Sequence, residues 1–375
     1  MKKKQNMEPT QSMKTMHEKI TSVLKEHSID ACILSHADSI TYVTGFKGLV
    51  PTERESYALV TRKKILLIIP KMYELSARSS CVDGIDIECA SERNMMLQIF
   101  KKYLKGLSKI GCEAESLTVA EHSKISKELG VELIGLHNAF SQLRTIKSAF
   151  EIEKIRSAQQ LTYSALDSVL SELKVGVSEI DIRMKLDAQM MDLGAEGPSF
   201  DSIVAFGNSG AQPHYKTGAK KLSVGDVILI DCGALVDGYC GDTTRVFFTA
   251  PPTTQQHRIY QLVHMAQKKA ISQIKAGMTG EAAFAITADV FREENELEHY
   301  LHGLGHGIGV AVHEAPSLRS GVKDPLEEGM VFSIEPGLYY PEWGGVRIED
   351  LVVCRKNSVQ ILGEYPSDIR VIDIR

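Results

Sequence analysis

Residues 227–248 read VILIDCGALVDGYCGDTTRVFF, and this stretch decides the fold. Val227–Asp231 and Thr244–Phe248 are short apolar runs with turn residues between them, the pattern of buried strands. Val236-Asp237-Gly238 supplies a turn, with Asp237 as an ordinary turn residue beside Gly238. Asp231 closes the first run, and Asp242 follows eleven residues later across the Gly-rich segment. Facing strands of a hairpin would bring the two carboxylates together. Like charges held that way raise one pKa and cost stability unless a proton or a cation intervenes, so the pair implies an acid–base dyad or a metal.

Working outward, a charged helical pattern runs from Lys147 to Leu173, and Ser178 with Asp181 three residues on caps another helix. A strand at Ile203–Phe206, helices over Gln255–Lys275 and Thr279–Glu296, and strands near 331–335 and 346–353 complete this half. Strands and helices in separate runs predict an α+β domain with an antiparallel sheet. Before about Arg144 the elements alternate instead. An amphipathic run Met16–His27, strands Ala31–Leu34, Tyr57–Thr61 and Ile65–Ile69, a helix Ser91–Leu107 and a strand Ile110–Cys112 predict an α/β domain with a parallel or mixed sheet. The expected domains are therefore 1–142 and 143–375. His36, His122 and His137 are scattered through the first and read as ordinary histidines.

With 375 residues the chain exceeds what one hydrophobic core usually organises, in keeping with two domains. At 43% hydrophobic and 24% charged residues, with 29 Gly and 12 Pro, it is not disordered, collagenous or coiled-coil. A net charge of −5 offers no global positive field, so no nucleic-acid partner is expected. Seven cysteines without a CxxC pair suit reduced thiols and a cytoplasmic protein. Met1-Lys2-Lys3-Lys4 has the charge of a signal peptide's start, but Gln5–Glu18 supplies no apolar region, and neither secretion nor a membrane partner is expected.

Chemistry concentrates in two further segments. His302-Gly303-Leu304-Gly305-His306-Gly307-Ile308-Gly309 leads to Val312-His313-Glu314. Glycines at this density exclude a strong helix, so the imidazoles belong on a loop or strand open to close approach, as packing around a bound group requires. Glu335 follows Val331-Phe332-Ser333-Ile334, and Glu349 follows Val346-Arg347-Ile348, each a carboxylate at the end of an apolar strand. Together with Asp231, Asp242 and His306 they make one imidazole and four carboxylates, a set whose charge two divalent cations balance. Cys232 and Cys240 lack the spacing of a thiolate zinc site.

These motifs resemble the pita-bread metallopeptidases, the group containing methionine aminopeptidase, Xaa-Pro aminopeptidase and prolidase, and are most similar to the Xaa-Pro branch. The resemblance covers 143–355 and rests on Leu143–Ser148, Pro198–Gly207, Pro213-His214-Tyr215, the segments already quoted, Ile334–Tyr339 and Gly345–Asp350. It implies a C-terminal pita-bread fold preceded by a smaller creatinase-type α/β domain. Asp231 would bind one metal, Asp242 and Glu349 would bridge both, and His306 and Glu335 would complete the second. The implied metals are manganese first, with cobalt, iron or zinc as alternatives, and a hydroxide between them is the implied nucleophile. Glu335 would take the water's proton, His214 and His313 would serve the tetrahedral intermediate and the leaving proline nitrogen, and His302 and Arg347 would face the substrate. Gly241 and Val246 depart from the branch's usual Ser and Thr, and neither removes a ligand.

The implied partners are proline-containing peptides and further copies of the chain, as a homodimer or homotetramer. A dipeptidase needs a cation for proline's free carboxylate, and Arg347 and Arg319 are the candidates. Arg319 lies in a polar Gly-containing loop and reads as solvent-exposed, so the expected activity is that of an Xaa-Pro aminopeptidase, with Xaa-Pro dipeptidase as the alternative. A metal-free binding module or creatinase-type relative is the remote one.

Overall fold

A computed structural model describes residues 9–50 and 52–375, so the expectation for the Met1–Lys4 start lies outside the described residues. The chain divides into two compact units, Met1–Arg144 and Thr145–Arg375.

The first unit is a six-stranded sheet with helices. Its strands are β1 (Ala31–Leu34), β2 (Tyr57–Thr61), β3 (Ile65–Pro70), β4 (Asp86–Ala90), β5 (Ile110–Glu113) and β6 (Leu133–Leu136), in the order β4-β3-β2-β1-β5-β6. Its helices are α1 (Pro9–Glu26), α2 (Ala37–Thr44), α3 (Glu74–Ser80), α4 (Arg93–Leu104) and α5 (Val119–Leu129). β1 pairs antiparallel with β2 and parallel with β5, so the sheet is mixed. The sequence reading misses β4 and β6. Both are edge strands: β4 buries only Ala90 fully, and β6, although its LIGL is apolar, is interrupted by a glycine and buries only Leu133 and Leu136.

In the second unit, helices α6 (Ala149–Leu170) and α7 (Glu179–Asp192) begin at capping boxes, Ser148 with Glu151 and Ser178 with Asp181. Strands β7 (Gly197–Pro198), β8 (Ile203–Phe206), β9 (Val227–Cys232), β10 (Ala234–Val236), β11 (Tyr239–Cys240) and β12 (Thr243–Phe248) follow. Helices α8 (Thr254–Gln273) and α9 (Gly280–Glu293) come next, and then β13 (Gly305–Gly307), β14 (Glu314–Leu318), β15 (Val331–Ile334), β16 (Gly337–Tyr340), β17 (Gly344–Arg347), β18 (Asp350–Cys354) and β19 (Val359–Ile361). The ladders are antiparallel, in the orders β12-β9-β8, β11-β10-β7, β14-β13-β15-β18-β19 and β16-β17.

The β12-β9-β8 sheet is buried on both faces, which is why β9 reads as an unbroken VILI. Val204, Phe206, Ile228 and Ile230 pack with Leu166 of α6 and Ile182 of α7. Ile203, Ala205, Val227 and Leu229 pack with Val263 of α8 and Phe291 of α9. Alternation along a strand puts Asp231 on the face of Val227 and Leu229, and Thr244, its cross-strand partner, on that same face. Asp242 continues the even-numbered positions of β12. Register thus carries both aspartates to one side of one sheet end. The expected single strand near 346–353 is in fact two, β17 and β18, and the break between them releases Glu349 from either ladder.

Candidate metal centre

Asp231, Asp242, His306, Glu335 and Glu349 all line one cavity of about 640 Å³ in the second unit. His214, His302, His313 and Arg347 line it too, so the structure brings every sequence-predicted site residue to this one cavity. Three converge most tightly: Asp242, His306 and Glu349 each offer one ligand atom, and these atoms lie within 4.8 Å of one another.

The Glu349, Asp231 and Glu335 carboxylates are held by side-chain hydrogen bonds, and backbone contacts fix Glu349. Glu349 N donates to Thr244 O at 3.2 Å, and Arg245 donates to Glu349 O while pairing with Asp350 at 2.6 Å, which pins the break between β17 and β18 onto β12. Thr244 Oγ1 then donates to Glu349 Oε2 at 2.8 Å. Arg347 Nη2 donates to Asp231 Oδ2 at 2.6 Å. Ser333 Oγ accepts from His306 N at 3.0 Å and donates to Glu335 Oε1 at 2.9 Å, so one hydroxyl on β15 orients two candidate ligands.

His306 sits at a bulge of β13, where the register shifts between His306 and Gly307. Bulges re-aim side chains, and here the ring turns its Nε2 to Glu335 Oε1 at 3.2 Å and Asp242 Oδ2 at 3.6 Å. Its Nδ1 lies 3.1 Å from Gly307 O, an acceptor only, so Nδ1 carries the proton and Nε2 is the atom left for a metal.

The electrostatics of the site follow from burying four carboxylates around one imidazole. Burial, followed by Glu349 and Asp231, pushes Asp242 well above the usual carboxylate range. Burial, then Glu335 and Asp231, does the same to Glu349. Burial also raises Asp231, against the opposing pull of Arg347. Glu335 goes the other way: although burial disfavours its charge, the hydrogen bond from His306 brings it down to about 2, and Glu335 in turn lifts His306 to about 9 despite burial. Asp231 Oδ1 and Glu349 Oε1 are buried with no hydrogen-bond partner among the described residues. Repelling carboxylates, two orphaned buried oxygens and an imidazole with Nε2 turned inward are the features a cation site requires, and the residues fit the metal ions that the chemistry of the donor set implies.

The histidines divide. His302 is half-buried, with Nδ1 2.7 Å from Gly303 O and Nε2 2.8 Å from Tyr339 Oη. Burial lowers its pKa, and both ring nitrogens are engaged. Tyr339 Oη also accepts from Arg347 Nη1 at 2.8 Å, so His302 stands at the far end of a chain leading to Asp231. His313 is exposed on the cavity wall, its ring centroid 4.2 Å from that of His306. His214 is exposed as well, shortly after β8.

The glycines of this segment leave room for close approach on the strand side as well as on the cavity side. A Cβ on Gly305 would lie 2.0 Å from Ser333 O, and one on Gly307 would lie 2.1 Å from Ala315 O. They admit neighbouring strands, and Gly303 and Gly305 also line the cavity. Sequence reasoning also passes over Thr244, Ser333 and Tyr339, because a hydroxyl in an apolar strand looks the same whether it faces a ligand or packs.

Residues 153–356 match metallopeptidase family M24, and residues 16–146 match the creatinase/prolidase N-terminal domain. An Xaa-Pro dipeptidase of Pyrococcus horikoshii is 33% identical over 351 residues, 92% of this chain and 97% of that protein. Among solved structures, an Xaa-Pro dipeptidase from Bacillus anthracis superposes with a TM-score of 0.89 at 32% identity, covering 96% of this chain and 99% of that one. An X-Pro aminopeptidase from Thermotoga maritima superposes at 0.87 with 32% identity, covering 95% and 99%. These neighbours share the pita-bread fold with its creatinase-type N-terminal domain, and the chain belongs to metallopeptidase family M24.

Proposed function

We propose that this metallopeptidase is an Xaa-Pro dipeptidase, hydrolysing the bond between an N-terminal residue and a C-terminal proline. Arg319 supports this assignment most directly. The sequence reading leaves it to solvent and so expects an aminopeptidase. In the structure its side chain is exposed but lines the cavity with the candidate ligands, and no hydrogen bond or ion pair engages its guanidinium among the described residues. An uncommitted guanidinium there suits proline's free carboxylate. The names of the Pyrococcus and Bacillus relatives lean the same way, while the Thermotoga relative's name keeps the aminopeptidase as the second reading.

Asp231, Asp242, His306, Glu335 and Glu349 would hold two divalent ions, manganese foremost, with cobalt, iron or zinc also suited to one imidazole and four carboxylates. Such ions, when bound, polarise the scissile carbonyl and make water a nucleophile near neutral pH. Glu335 accepts the water's proton. His313 and His214 donate to the carbonyl oxygen as charge develops there and pass a proton to the leaving proline nitrogen. Arg347 opposes the protonation of Asp231 that burial favours, and His302 braces Tyr339. A metal-free relative would have no use for the two orphaned carboxylate oxygens. Assembly into dimers or tetramers and a cytoplasmic location belong to the same proposal; among the described residues no helix is long and apolar enough to cross a membrane.

The test is product analysis on matched Xaa-Pro dipeptides and Xaa-Pro-Yaa tripeptides with the manganese-loaded protein. Cleavage of the dipeptides with little or no action on the tripeptides is expected. Equal or better release of Xaa from the tripeptides makes the protein an aminopeptidase.

A further inference from the structure

We propose that Lys147 is a positioning residue for His313, acting through a buried ion pair with Glu314; the inference rests on the reading of His313 as a proton-transfer group. Lys147 Nζ donates to Glu314 Oε1 at 2.7 Å, and both side chains are 1% exposed. A buried pair of charges is a poor device for mere cohesion, since apolar residues of similar volume usually hold a chain as well or better. What the pair supplies is a fixed distance and direction between two backbone segments.

Those segments matter because of their neighbours. Glu314 directly follows His313, opens β14, and stands opposite Gly307 at the bulge that aims His306. The imidazole of His313 has no hydrogen bond among the described residues, and it lies in the irregular stretch before β14. Its position is therefore inherited from the backbone at Glu314. Lys147 is itself a firm anchor: its backbone N donates to Gly329 O at 3.0 Å, its Nζ also donates to Thr145 O at 3.2 Å, and Ile146 bridges Met330.

The chain leaves room for the pair at a third place. A Cβ on Gly309 would lie 2.6 Å from Glu314 Oε1 and 3.3 Å from Lys147 Cε, so a side chain there would push the pair out of line. A residue on the segment entering the second unit, a glycine after β13 and a glutamate opening β14 thus converge beneath one exposed histidine.

The experiment is a mutant cycle with the full chain loaded with manganese. The doubly apolar variant Lys147→Met/Glu314→Leu is measured alone and in a His313→Ala background, with metal content, Tm, kcat and KM for an Xaa-Pro dipeptide. Alone, it is expected to keep its metal and Tm while kcat falls roughly 10- to 100-fold, the scale of a misplaced catalytic group, with KM within about twofold. In the His313→Ala background the same replacement should cost less than about twofold more, because the group it positions is already gone. Equal losses in both backgrounds, or no loss alone, overturn the proposal. Should the double variant not fold, Lys147→Arg, which keeps the charge and changes the reach, is put through the same cycle with the same criteria. If His313→Ala itself leaves kcat unchanged, the reading of His313 falls first, and the two failures are told apart by that single variant.

Discussion

Arg347 donates to Asp231 Oδ2 at 2.6 Å and leaves Asp231 Oδ1 buried without a hydrogen-bond partner among the described residues. One oxygen is thereby fixed and the other kept for a ligand. Burial favours the protonated acid, and Arg347 is the leading influence against it. Replacing Arg347 with Met removes that opposition, so the Asp231 proton is held to higher pH and a metal must displace it. Affinity for manganese should fall roughly 10- to 100-fold, the usual scale for an outer partner of a ligand, and more at pH 6 than at pH 8. Chelator competition at the two pH values measures this, and an unchanged affinity at both would remove Arg347 from the metal site.

Asp242 gives a prediction with opposite signs in the two states of the protein. Its folded pKa is raised above the ordinary 3.8, chiefly by burial and then by Glu349, so the folded state binds more protons than the unfolded one. The stability it confers is greatest at low pH and is lost as pH rises from about 4 upward. Asp242→Asn should therefore melt higher than wild type at pH 7–8 when both are stripped with chelator, and the gap should shrink toward pH 5. With metal supplied the order should reverse, because wild type gains the stability of bound ions and the variant does not. The variant should also be inactive. Two ions per chain and wild-type turnover in Asp242→Asn would sink the dinuclear assignment.

The ligand set is legible in the sequence because Asp231, Glu335 and Glu349 each end an apolar run and Asp242 stands just before one, places where a charge has no reason to stand unless something pairs with it. Period-two alternation on β9 and β12 then puts Asp231 and Asp242 on one face. Glu349 is harder to place, since nothing in Val346–Val353 marks the break between β17 and β18, which depends on Arg245 capturing the Glu349 carbonyl and the Asp350 carboxylate. Arg319 is exposed as the sequence suggests, but its place on the cavity wall is hidden for a related reason. A loop guanidinium over solvent and one on a cavity wall have the same local sequence, and only the fold around it decides.

His313 and His302 should respond differently to substitution. His313→Ala is expected to lower kcat about 10²–10⁴-fold while metal content stays at the wild-type level, as for a general acid–base group. His302→Ala opens a void beside Tyr339 and frees its hydroxyl, so a lower Tm and a modest, shared loss of activity are expected. Metal analysis beside kinetics separates the cases. Loss of an ion in His313→Ala would make it a ligand instead.

The choice between dipeptidase and aminopeptidase comes down to what Arg319 binds. If its guanidinium holds proline's carboxylate, the benefit depends on the negative charge and vanishes for the C-terminal amide of the same dipeptide. Arg319 is exposed, so solvent weakens the interaction, and the loss on Arg319→Ala should lie near the lower end for charge-assisted hydrogen bonds, roughly tenfold in KM for the free acid. For the amide, KM should barely change, and kcat should hold for both. Lys216, also exposed on the cavity wall, is the control: Lys216→Ala should leave the acid-to-amide ratio as it is in wild type. A ratio that moves with Lys216 and not with Arg319 would transfer the carboxylate to that lysine. A ratio indifferent to both would leave the cavity without a carboxylate anchor, and tripeptides should then be cut as readily as dipeptides.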